Sequence, residues 1–428
     1  MRIEYSYYPW ASPIELPDSL CVGTLEPQLR PPPCDPCTLV ERALECPIGT
    51  LPLPDLLGGS RRVVILIDDN TRRTPGHLIL PPLLNLLEKC GITRERILIV
   101  VGYGTHRPMT DVERREKCGD EICTAYHITE HNAWDANRLR FCGTTDTGAA
   151  LWINRDVVEA DFVIGLGSIV PHPLAGFSGG GKILQPGVCG EQTTIQTHWL
   201  GLRYHQSELL GKEDNPVRQE ISAVAMQAGL RFIVNAIPDR VGNLAGVVAG
   251  HPVQAWLAGC RLSRDIFGVA IPGEVDVVIS DTHPGDADVW QCQKGISVAA
   301  SCVRPGGTVI VLSPCPEGVA AQYPDVVRIG PRSAEVLELL ARRAGMHPMA
   351  GLALVRLHEA TSDRVVMLVS PGLDRDTIIR LGMVPYDTAQ TALEDALARH
   401  CPHPRVLVLR YASELLPITT HASRGENP

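Results

Sequence analysis

Hydrophobic and polar positions alternate along this chain in two distinct patterns. Short β-branched and aliphatic runs predict strands at 62–67, 96–101, 162–166, 231–236, 275–280, 308–312, 365–369 and 405–409. Longer stretches with helical spacing predict helices at 77–89, 214–228, 252–266, 286–303, 333–344 and 387–399. This alternation is typical of an α/β protein built on mostly parallel sheets.

The pattern restarts after Pro272 and Gly273, which indicates a second and smaller α/β domain. The 428 residues also exceed what one compact core normally supports. We therefore predict an N-terminal domain over 1–270 and a C-terminal domain over 271–410, with the tail 411–428 able to pack back on the first. We expect the active site in the cleft between these two domains.

The composition argues against several classes of partner. The formal net charge is −9 and no run of Lys or Arg is long enough to bind a phosphate backbone, so we expect no nucleic-acid partner. The N-terminus lacks the features of a signal peptide, and no apolar run approaches the roughly 18 residues that a membrane span needs. We therefore expect a soluble, cytoplasmic protein without a membrane partner.

The 14 cysteines are scattered, and most of them adjoin apolar residues, which favours reduced core thiols over a disulfide framework. Cys34 and Cys37 form a CxxC pair that Cys21 and Cys46 could complete as a zinc site. The outer spacings are wider than a usual zinc pattern and prolines crowd the loop, so free thiols are the favoured interpretation.

Polar residues gather just after four of the predicted strands, in Asp68–Arg72, Gly102–Arg107, Gly167–Lys182 and Asp281–Asp286. Ligands of open α/β sheets bind beyond the carboxyl ends of the strands, so these segments are candidates for chemistry. Asp69 and Arg72 alone could be a turn and a surface ion pair, and a lone His106 or His172 is more often a hydrogen-bonded loop residue. Their joint occurrence at successive strand ends favours a site.

Three glycines precede Lys182, and such a stretch can bring backbone N–H groups close to an anion. It lacks the spacing of a Walker A loop, and Ile183 stands where Ser or Thr would bind magnesium. The segment 165–168 is too short and wrongly spaced for a dinucleotide fingerprint, so a nicotinamide site has little support.

His198 lies on a helix predicted to open after residues 187–190, and it could face the same cleft as Lys182. An imidazole suits nickel, zinc or copper, yet no Cys or carboxylate cluster at ordinary metal spacing accompanies it. A site made only by the protein would be incomplete, and a cofactor would have to supply the missing ligands.

Trp290, Gln291 and Lys294 share the early turns of a helix in the second domain, with Lys294 on a face common to the other two. The helix dipole and the lysine ammonium both favour an anion there, such as a substrate carboxylate. A solvated lysine on an amphipathic helix explains this segment equally well.

Together, the segments DDNTRRTP, GTHRPMT, PHPLAGFSGGGKILQPGVCG, QTHW and WQCQKG resemble the lactate racemase family that uses a nickel-pincer nucleotide. The resemblance covers residues from about 61 to 312 in order and spacing, and it is most specific at PHPLAGFSGGGK. It implies a cofactor, pyridinium-3-thioamide-5-thiocarboxylic acid mononucleotide with nickel, that accessory cofactor-building enzymes supply.

The resemblance also implies a role for each candidate residue. Lys182 would carry the cofactor covalently, His198 would be the metal ligand, and His106 and His172 would be the paired catalytic bases. The other implied roles are cofactor binding by Thr71, Ser178, Gly179, Gly180 and Gly181, and substrate binding by Asp69, Arg72, Trp290, Gln291 and Lys294.

These roles fit the chemistry of a small 2-hydroxy acid. Its C2 hydrogen is too weakly acidic for easy proton abstraction, so removal as hydride while a base takes the hydroxyl proton is more reasonable. Return of the hydride to the other face inverts C2 and requires a base on each side. The resemblance thus implies a racemase or epimerase. Trp290, in place of the family's usual tyrosine, leaves lactate, malate, 2-hydroxyglutarate, longer hydroxy acids and sugar acids open as substrates.

Two other functions stay open. A nicotinamide-dependent hydroxyacid dehydrogenase needs only one histidine and one arginine, but the chain lacks a GxGxxG segment. A non-catalytic carrier of nickel or of the pincer nucleotide would keep Lys182 and His198 and lose the bases or the carboxylate clamp, whereas this sequence has all of them.

Overall fold

The structure, a computed structural model, describes residues 1–320 and 322–418. Its strands in chain order are β1 (Arg2–Ile3), β2 (Ile14–Glu15), β3 (Cys21–Leu25), β4 (Val63–Asp68), β5 (Ile97–Gly102), β6 (His127–Glu130), β7 (Leu139–Thr144), β8 (Ala150–Asn154), β9 (Phe162–Ser168), β10 (Pro171–His172), β11 (Gly176–Phe177), β12 (Leu230–Pro238), β13 (Leu244–Gly250), β14 (Gly268–Ala270), β15 (Val277–Asp281), β16 (Thr308–Leu312), β17 (Val365–Val369), β18 (Val384–Pro385), β19 (Val406–Leu409) and β20 (Leu416–Ile418).

The α-helices are α1 (Pro36–Glu45), α2 (Leu53–Leu56), α3 (Gly76–Lys89), α4 (Asp111–Cys118), α5 (Asp120–Ala125), α6 (Arg155–Val158), α7 (Glu191–Gly201), α8 (Gln206–Leu209), α9 (Pro216–Gln227), α10 (Gln254–Phe267), α11 (Val289–Ser301), α12 (Asp325–Ile329), α13 (Ala334–Arg342), α14 (Ala350–Thr361), α15 (Arg375–Arg380) and α16 (Ala389–Arg399). In the described part of the chain, no helix has the length and apolar character that crossing a membrane requires.

The first of two compact units comprises residues 28–204 and 208–266. Its six-stranded sheet has the order β13-β12-β9-β4-β5-β6, in which only the pairing of β12 with β13 is antiparallel. Every residue from Val63 to Ile67 in β4 is fully buried, which explains the unbroken apolar run of this strand. Side chains of α1 and α3 pack on this sheet and complete its core.

The second unit comprises residues 1–27, 205–207 and the chain from Phe267 onward. Its six-stranded sheet is parallel throughout, in the order β18-β17-β16-β15-β19-β3. Apolar residues of the N-terminal segment, among them Ile3, Tyr8 and Ile14, pack with β15, β16, β17 and α16 in one core.

The predicted α/β class with mostly parallel sheets is confirmed. The structure differs from the predicted domain outline for residues 1–27, because β3 pairs with β19 in the second unit. The partner of this short strand lies far along the chain, so the local pattern carries no signal of it. In the tail, β20 pairs with β14 of the second unit, whereas residues 419–428 lie outside the described residues. The predicted cleft stays a prediction.

Candidate functional site

The candidate site of the first unit lies at a change in strand order. β5 and β6 lie on one side of β4, and β9 and β12 lie on its other side. The connections that leave the carboxyl ends of β4 and β9 therefore run in opposite directions, which is where open α/β sheets bind ligands. The segments Asp68–Arg72 and Gly167–Lys182 follow these two strand ends, and Gly102–Arg107 follows β5.

The segment after β4 is folded by hydrogen bonds to Asp69 and Lys117. Asp69 Oδ1 accepts hydrogen bonds from Thr71 N at 3.0 Å and Thr71 Oγ1 at 2.5 Å. The buried Lys117 Nζ donates to the carbonyl oxygens of Asp69 and Arg72 at 2.9 and 2.8 Å, and it pairs with Asp68 at 2.6 Å. The role of Lys117 could not be predicted from the sequence, because a lysine near a helix end is usually solvated.

Arg72 is half-buried in this loop and keeps part of its guanidinium available. Its Nη1 donates to Thr71 O at 3.1 Å and to Thr71 Oγ1 at 3.0 Å. The other guanidinium nitrogens form no hydrogen bond to the described residues. A guanidinium edge of this kind can bind a planar carboxylate with two parallel hydrogen bonds.

Asp69 also orients the imidazole of His106, whose Nδ1 lies 2.7 Å from Asp69 Oδ2. With Nδ1–H donated to the carboxylate, Nε2 keeps its lone pair and can accept a proton. Burial acts to raise the pKa of Asp69, but the charge and hydrogen bond of His106, with the charge of Arg72, lower the pKa of that carboxyl well below its usual range. Asp69 is therefore an anion that holds His106.

His172 lies in the hairpin that β10 and β11 form after β9, opposite Gly176. The backbone N–H groups of Leu174 and Ala175 donate to its Nδ1 at 3.2 and 3.3 Å. A neutral imidazole bonded in this way carries its proton on Nε2. The two histidines predicted as bases therefore differ: His106 presents a lone pair, and His172 presents an N–H donor.

Close packing accounts for the glycines that precede Lys182. Gly179 and Gly180 have φ values of 71° and 57°, in the left-handed region that favours glycine. A Cβ on Gly179 would lie 2.7 Å from Ile169, and one on Gly180 would lie 2.9 Å from Trp256. The phosphate contacts predicted for this stretch stay a prediction, because the packing alone explains why glycine stands here.

Ser178 uses its hydroxyl within the loop. The Oγ donates to Ser168 O at 2.6 Å and accepts from Val170 N at 3.0 Å. These bonds fix the turn between His172 and Lys182. The hydroxyl that the sequence analysis assigned to cofactor binding thus has a structural partner on each side.

Arg218, in the first turn of α9, is a second residue that sequence analysis missed. It is 2% exposed, and its guanidinium donates to the carbonyl oxygens of Ala175 at 3.1 Å, Gly179 at 3.2 Å and Phe177. Desolvation lowers the pKa of Arg218 to about 10, so it remains a cation at neutral pH. An arginine in a helix usually lies at the surface, so the sequence carries no signal of this role.

Lys182 and His198 lie in the 3₁₀ turn and in helix α7 that follow β11. Lys182 is half-buried in the 3₁₀ turn Gly180–Ile183. His198 Nδ1 lies 2.8 Å from Thr194 O, and donation to that carbonyl leaves the lone pair on Nε2. Burial lowers the pKa of His198 to about 4, and the positive charges of Lys182 and His106 act in the same direction, so this imidazole is neutral at pH 7.

Asn235 is an independent sign that a polar group belongs near the glycine stretch. Its side chain is fully buried, and its Oδ1 accepts from Gly180 N at 2.7 Å. Its Nδ2 has no hydrogen-bond partner among residues 1–320 and 322–418, and a buried donor without an acceptor is costly. In the same residues, no group of three or more His, Cys, Asp and Glu side chains could hold a metal ion. His198 Nε2 is thus a single imidazole donor, which fits a cofactor that brings its own metal ligands.

The other predicted substrate-binding residues lie on α11 of the second unit. Asp288 caps this helix by accepting from Gln291 N at 2.8 Å. Lys294 Nζ donates to Gln291 Oε1 at 2.5 Å, so these two side chains share one helix face. Trp290 packs on Tyr323, with ring centroids 5.0 Å apart. Sequence analysis missed Tyr323, because it lies in an irregular segment far along the chain.

By sequence, this chain is similar to known lactate racemases. The family model described as lactate racemase N-terminal domain matches residues 9–210. A lactate racemase of Thermoanaerobacterium thermosaccharolyticum is 32% identical over 284 residues, which are 65% of this chain and 66% of that protein. A lactate racemase of Lactiplantibacillus plantarum is 29% identical over 375 residues, which are 86% of this chain and 88% of that protein.

Solved structures also resemble this one. The lactate racemase apoprotein from Thermoanaerobacterium thermosaccharolyticum has a TM-score of 0.85 at 26% identity, over 95% of this chain and 97% of that chain. A protein from Thermotoga maritima has a TM-score of 0.70 at 18% identity, over 92% of this chain and 100% of that chain, and this likeness shows the fold alone. The range 9–210 that the family model matches contains Asp69, His106, His172, Lys182 and His198.

Proposed function

Because the chain belongs to the lactate racemase family and is an isomerase of the racemase kind, we propose that it inverts C2 of a small 2-hydroxy acid by hydride transfer. One observation carries this proposal. The neutral imidazole of His198, whose Nε2 is free of protons, lies within electrostatic reach of both Lys182 and His106. The buried carboxylate of Asp69 orients His106. His106 has the chemistry of an acid–base residue, Lys182 that of a covalent tether, and His198 that of a metal ligand.

The proposed cofactor is the nickel-pincer nucleotide, which Lys182 would carry covalently and for which His198 would be the protein ligand of nickel. When bound, it supplies the acceptor for the substrate hydrogen that leaves C2 as hydride. The hydrogen bond from His198 Nδ1 to Thr194 supports the ligand role, because it fixes the ring and its tautomer.

His106 and His172 would move the hydroxyl proton. His106 can accept it at Nε2 because Asp69 holds Nδ1. His172 can donate a hydrogen bond from Nε2 to the carbonyl oxygen that forms when the hydroxyl group is oxidised. To act as a base on the opposite enantiomer, His172 must release the N–H groups of Leu174 and Ala175 and carry its proton on Nδ1.

The substrate carboxylate would bind to cationic side chains. In the first unit, Arg72 has guanidinium nitrogens without partners in the described residues, and it is the proposed clamp for a carboxylate. In the second unit, Gln291 and Lys294 share one face of α11 and are proposed separately as substrate-binding residues. The relatives named lactate racemases support lactate or another small 2-hydroxy acid as the substrate. Trp290, backed by Tyr323, is the bulky aromatic group that we propose limits the substituent at C3.

The test is to produce the protein in the cytoplasm of cells that also make the cofactor-building enzymes, which we propose as its partners. Intact mass spectrometry and nickel analysis then measure cofactor loading. A panel of single-enantiomer 2-hydroxy acids, followed by chiral chromatography, measures interconversion. Loaded protein should convert one enantiomer of at least one acid into an equilibrium mixture.

Two outcomes would contradict the proposal. A rise in melting temperature with NAD, together with net oxidation of a hydroxy acid, would favour a dehydrogenase. Loaded protein that interconverts no acid in the panel would favour a cofactor carrier.

A further inference from the structure

The second unit has its own change in strand order, at the segment Asp281–Asp286 that the proposed function leaves unused. β16, β17 and β18 lie on one side of β15, and β19 and β3 lie on its other side. The carboxyl ends of β15 and β19 are therefore the expected ligand position of this sheet. Here the N-terminal segment of the same chain contacts these strand ends.

Tyr7 and Tyr8 donate hydrogen bonds to the carboxylates at the end of β15. Tyr7 OH lies 2.7 Å from Asp281 Oδ2, and Tyr8 OH lies 2.6 Å from Asp286 Oδ2. The Tyr7 ring also stacks on His283, with centroids 4.6 Å apart. Asp281 is fully buried and Tyr8 is 3% exposed, so water competes little for these bonds.

The same segment is fastened to the residues that follow β19. Asp281 Oδ1 accepts from Tyr411 N at 3.1 Å. Ser413 Oγ accepts from Gly285 N at 3.0 Å and donates to His283 O at 3.1 Å. Residues 281–286 are thus bonded both to the N-terminal segment, through Tyr7 and Tyr8, and to residues 411–413.

The segment leads directly into α11. The carbonyl of Asp286 accepts from Cys315 N at 3.1 Å, and Val289 N donates to Gly318 O at 3.0 Å. Asp288 then caps the helix, and Gln291 lies in the first turn. A displacement of Asp286 would therefore move the start of the helix that carries Gln291 and Lys294.

We propose that Tyr7 and Tyr8 are positioning residues for substrate binding, which act by holding Asp281 and Asp286 and through them the first turn of α11. The inference rests on the proposed function for the roles of Gln291 and Lys294. Hydrogen bonds from a hydroxyl to a carboxylate are strong. Without them, Asp281 is held only by the backbone N–H groups of Tyr411 and His283, and Asp286 Oδ2 only by His283 Nδ1 at 3.1 Å. The positions of Gln291 and Lys294 then become less well defined, which weakens carboxylate binding.

Two phenylalanine variants, Tyr7→Phe and Tyr8→Phe, test this singly and together. The matched control is Tyr386→Phe, which removes a hydroxyl bonded to Asp395 elsewhere in the second unit. Hydrogen–deuterium exchange of the cofactor-free protein should become faster over residues 281–295 in the first two variants, and it should be unchanged there in the control. In loaded protein, KM for the acid identified by the enantiomer panel should rise about tenfold, with kcat within about threefold of the starting protein.

Unchanged exchange over residues 281–295 in both single variants would overturn the positioning of α11. Faster exchange with an unchanged KM would overturn its link to substrate binding. A starting protein that racemises no acid would count against the proposed function. The exchange measurement does not depend on activity, so it would still test whether Tyr7 and Tyr8 hold α11. If the double variant does not fold, the single variants and their melting temperatures carry the comparison.

Discussion

The two units use the same change in strand order in different ways. In the first unit, the carboxyl ends of β4 and β9 carry Asp69 and the loop with His172 and Lys182, and a buried donor of Asn235 is left without a partner. In the second unit, the corresponding ends of β15 and β19 are occupied by tyrosines of the same chain. A shared topology therefore identifies where a ligand could bind, and the chemistry of the strand ends decides whether one does.

Lys182→Ala is the strongest test of the first strand-end site. The variant should lose the cofactor mass adduct completely, because the tether is a single covalent bond, and it should lose all interconversion. Intact mass spectrometry of protein made with the cofactor-building enzymes measures this. Lys89→Ala, at the exposed end of α3, is the control and should keep the adduct. An adduct that survives in Lys182→Ala would show that the attachment lies elsewhere.

His106→Ala should lower kcat about 100-fold or more, as expected for a lost acid–base group, with nickel content retained. Asp69→Asn should lower kcat about tenfold, because the imidazole of His106 loses the carboxylate that orients it. Steady-state kinetics with parallel nickel analysis measures the effects of His106→Ala and Asp69→Asn. The exposed His127 supplies a control variant, His127→Ala. Full activity in His106→Ala would remove this residue from the catalytic pair.

Arg218→Met tests how the loop between His172 and Lys182 is held. The change removes the buried guanidinium and its three hydrogen bonds, although the carbonyl oxygens of Ala175 and Gly179 keep a backbone donor each, so the free energy of unfolding should fall by about 3 kcal/mol. Urea unfolding measures it. Arg155→Met, which removes one bond to Leu139 O, is the control and should cost about 1 kcal/mol. Equal losses in the two variants would contradict a special role for Arg218.

Asp281→Asn tests the second strand-end cluster through its pH dependence. Burial raises the pKa of Asp281 to about 6 from 3.8, although the bonds from Tyr7 and from backbone N–H groups oppose this rise. A raised carboxyl pKa stabilises the fold at pH below about 4 and loses that contribution as pH rises through about 6. The stability of Asp281→Asn relative to the starting protein should therefore improve between pH 4 and pH 7, by roughly 2–3 kcal/mol. A pH-independent difference in urea unfolding would contradict this.

The strand positions and the polar segments behind them could be predicted from the sequence, because both are local patterns. The run Val63–Ile67 is continuous and apolar because both faces of β4 are buried, and the pair Asp68 and Asp69 follows it directly. The supports of the site could not be predicted. Lys117 and Arg218 bond to backbone carbonyls far from them in sequence, and no residue type signals such an acceptor.

The second unit shows the same limit more strongly. The segment with Tyr7 and Tyr8 looks like an aromatic N-terminus without periodicity, and its carboxylate partners lie 274 and 278 residues further along the chain. The shared face of Gln291 and Lys294 was predictable, because helical spacing is local. Which segment holds that helix was not, because hydrogen bonds between distant segments leave no periodic trace.

The surroundings of Trp256 make its fluorescence a useful signal. Its indole lies 4.1 Å from the Arg218 guanidinium, donates to Ser178 O at 2.8 Å and packs against Gly180. Indole emission responds to a nearby cation and to hydrogen bonding, so the protein has an intrinsic fluorophore against the backbone that leads to Lys182. Subtracting the emission of a Trp256→Phe variant would isolate its signal, and the arrival of a cofactor could then be followed in real time without an added dye.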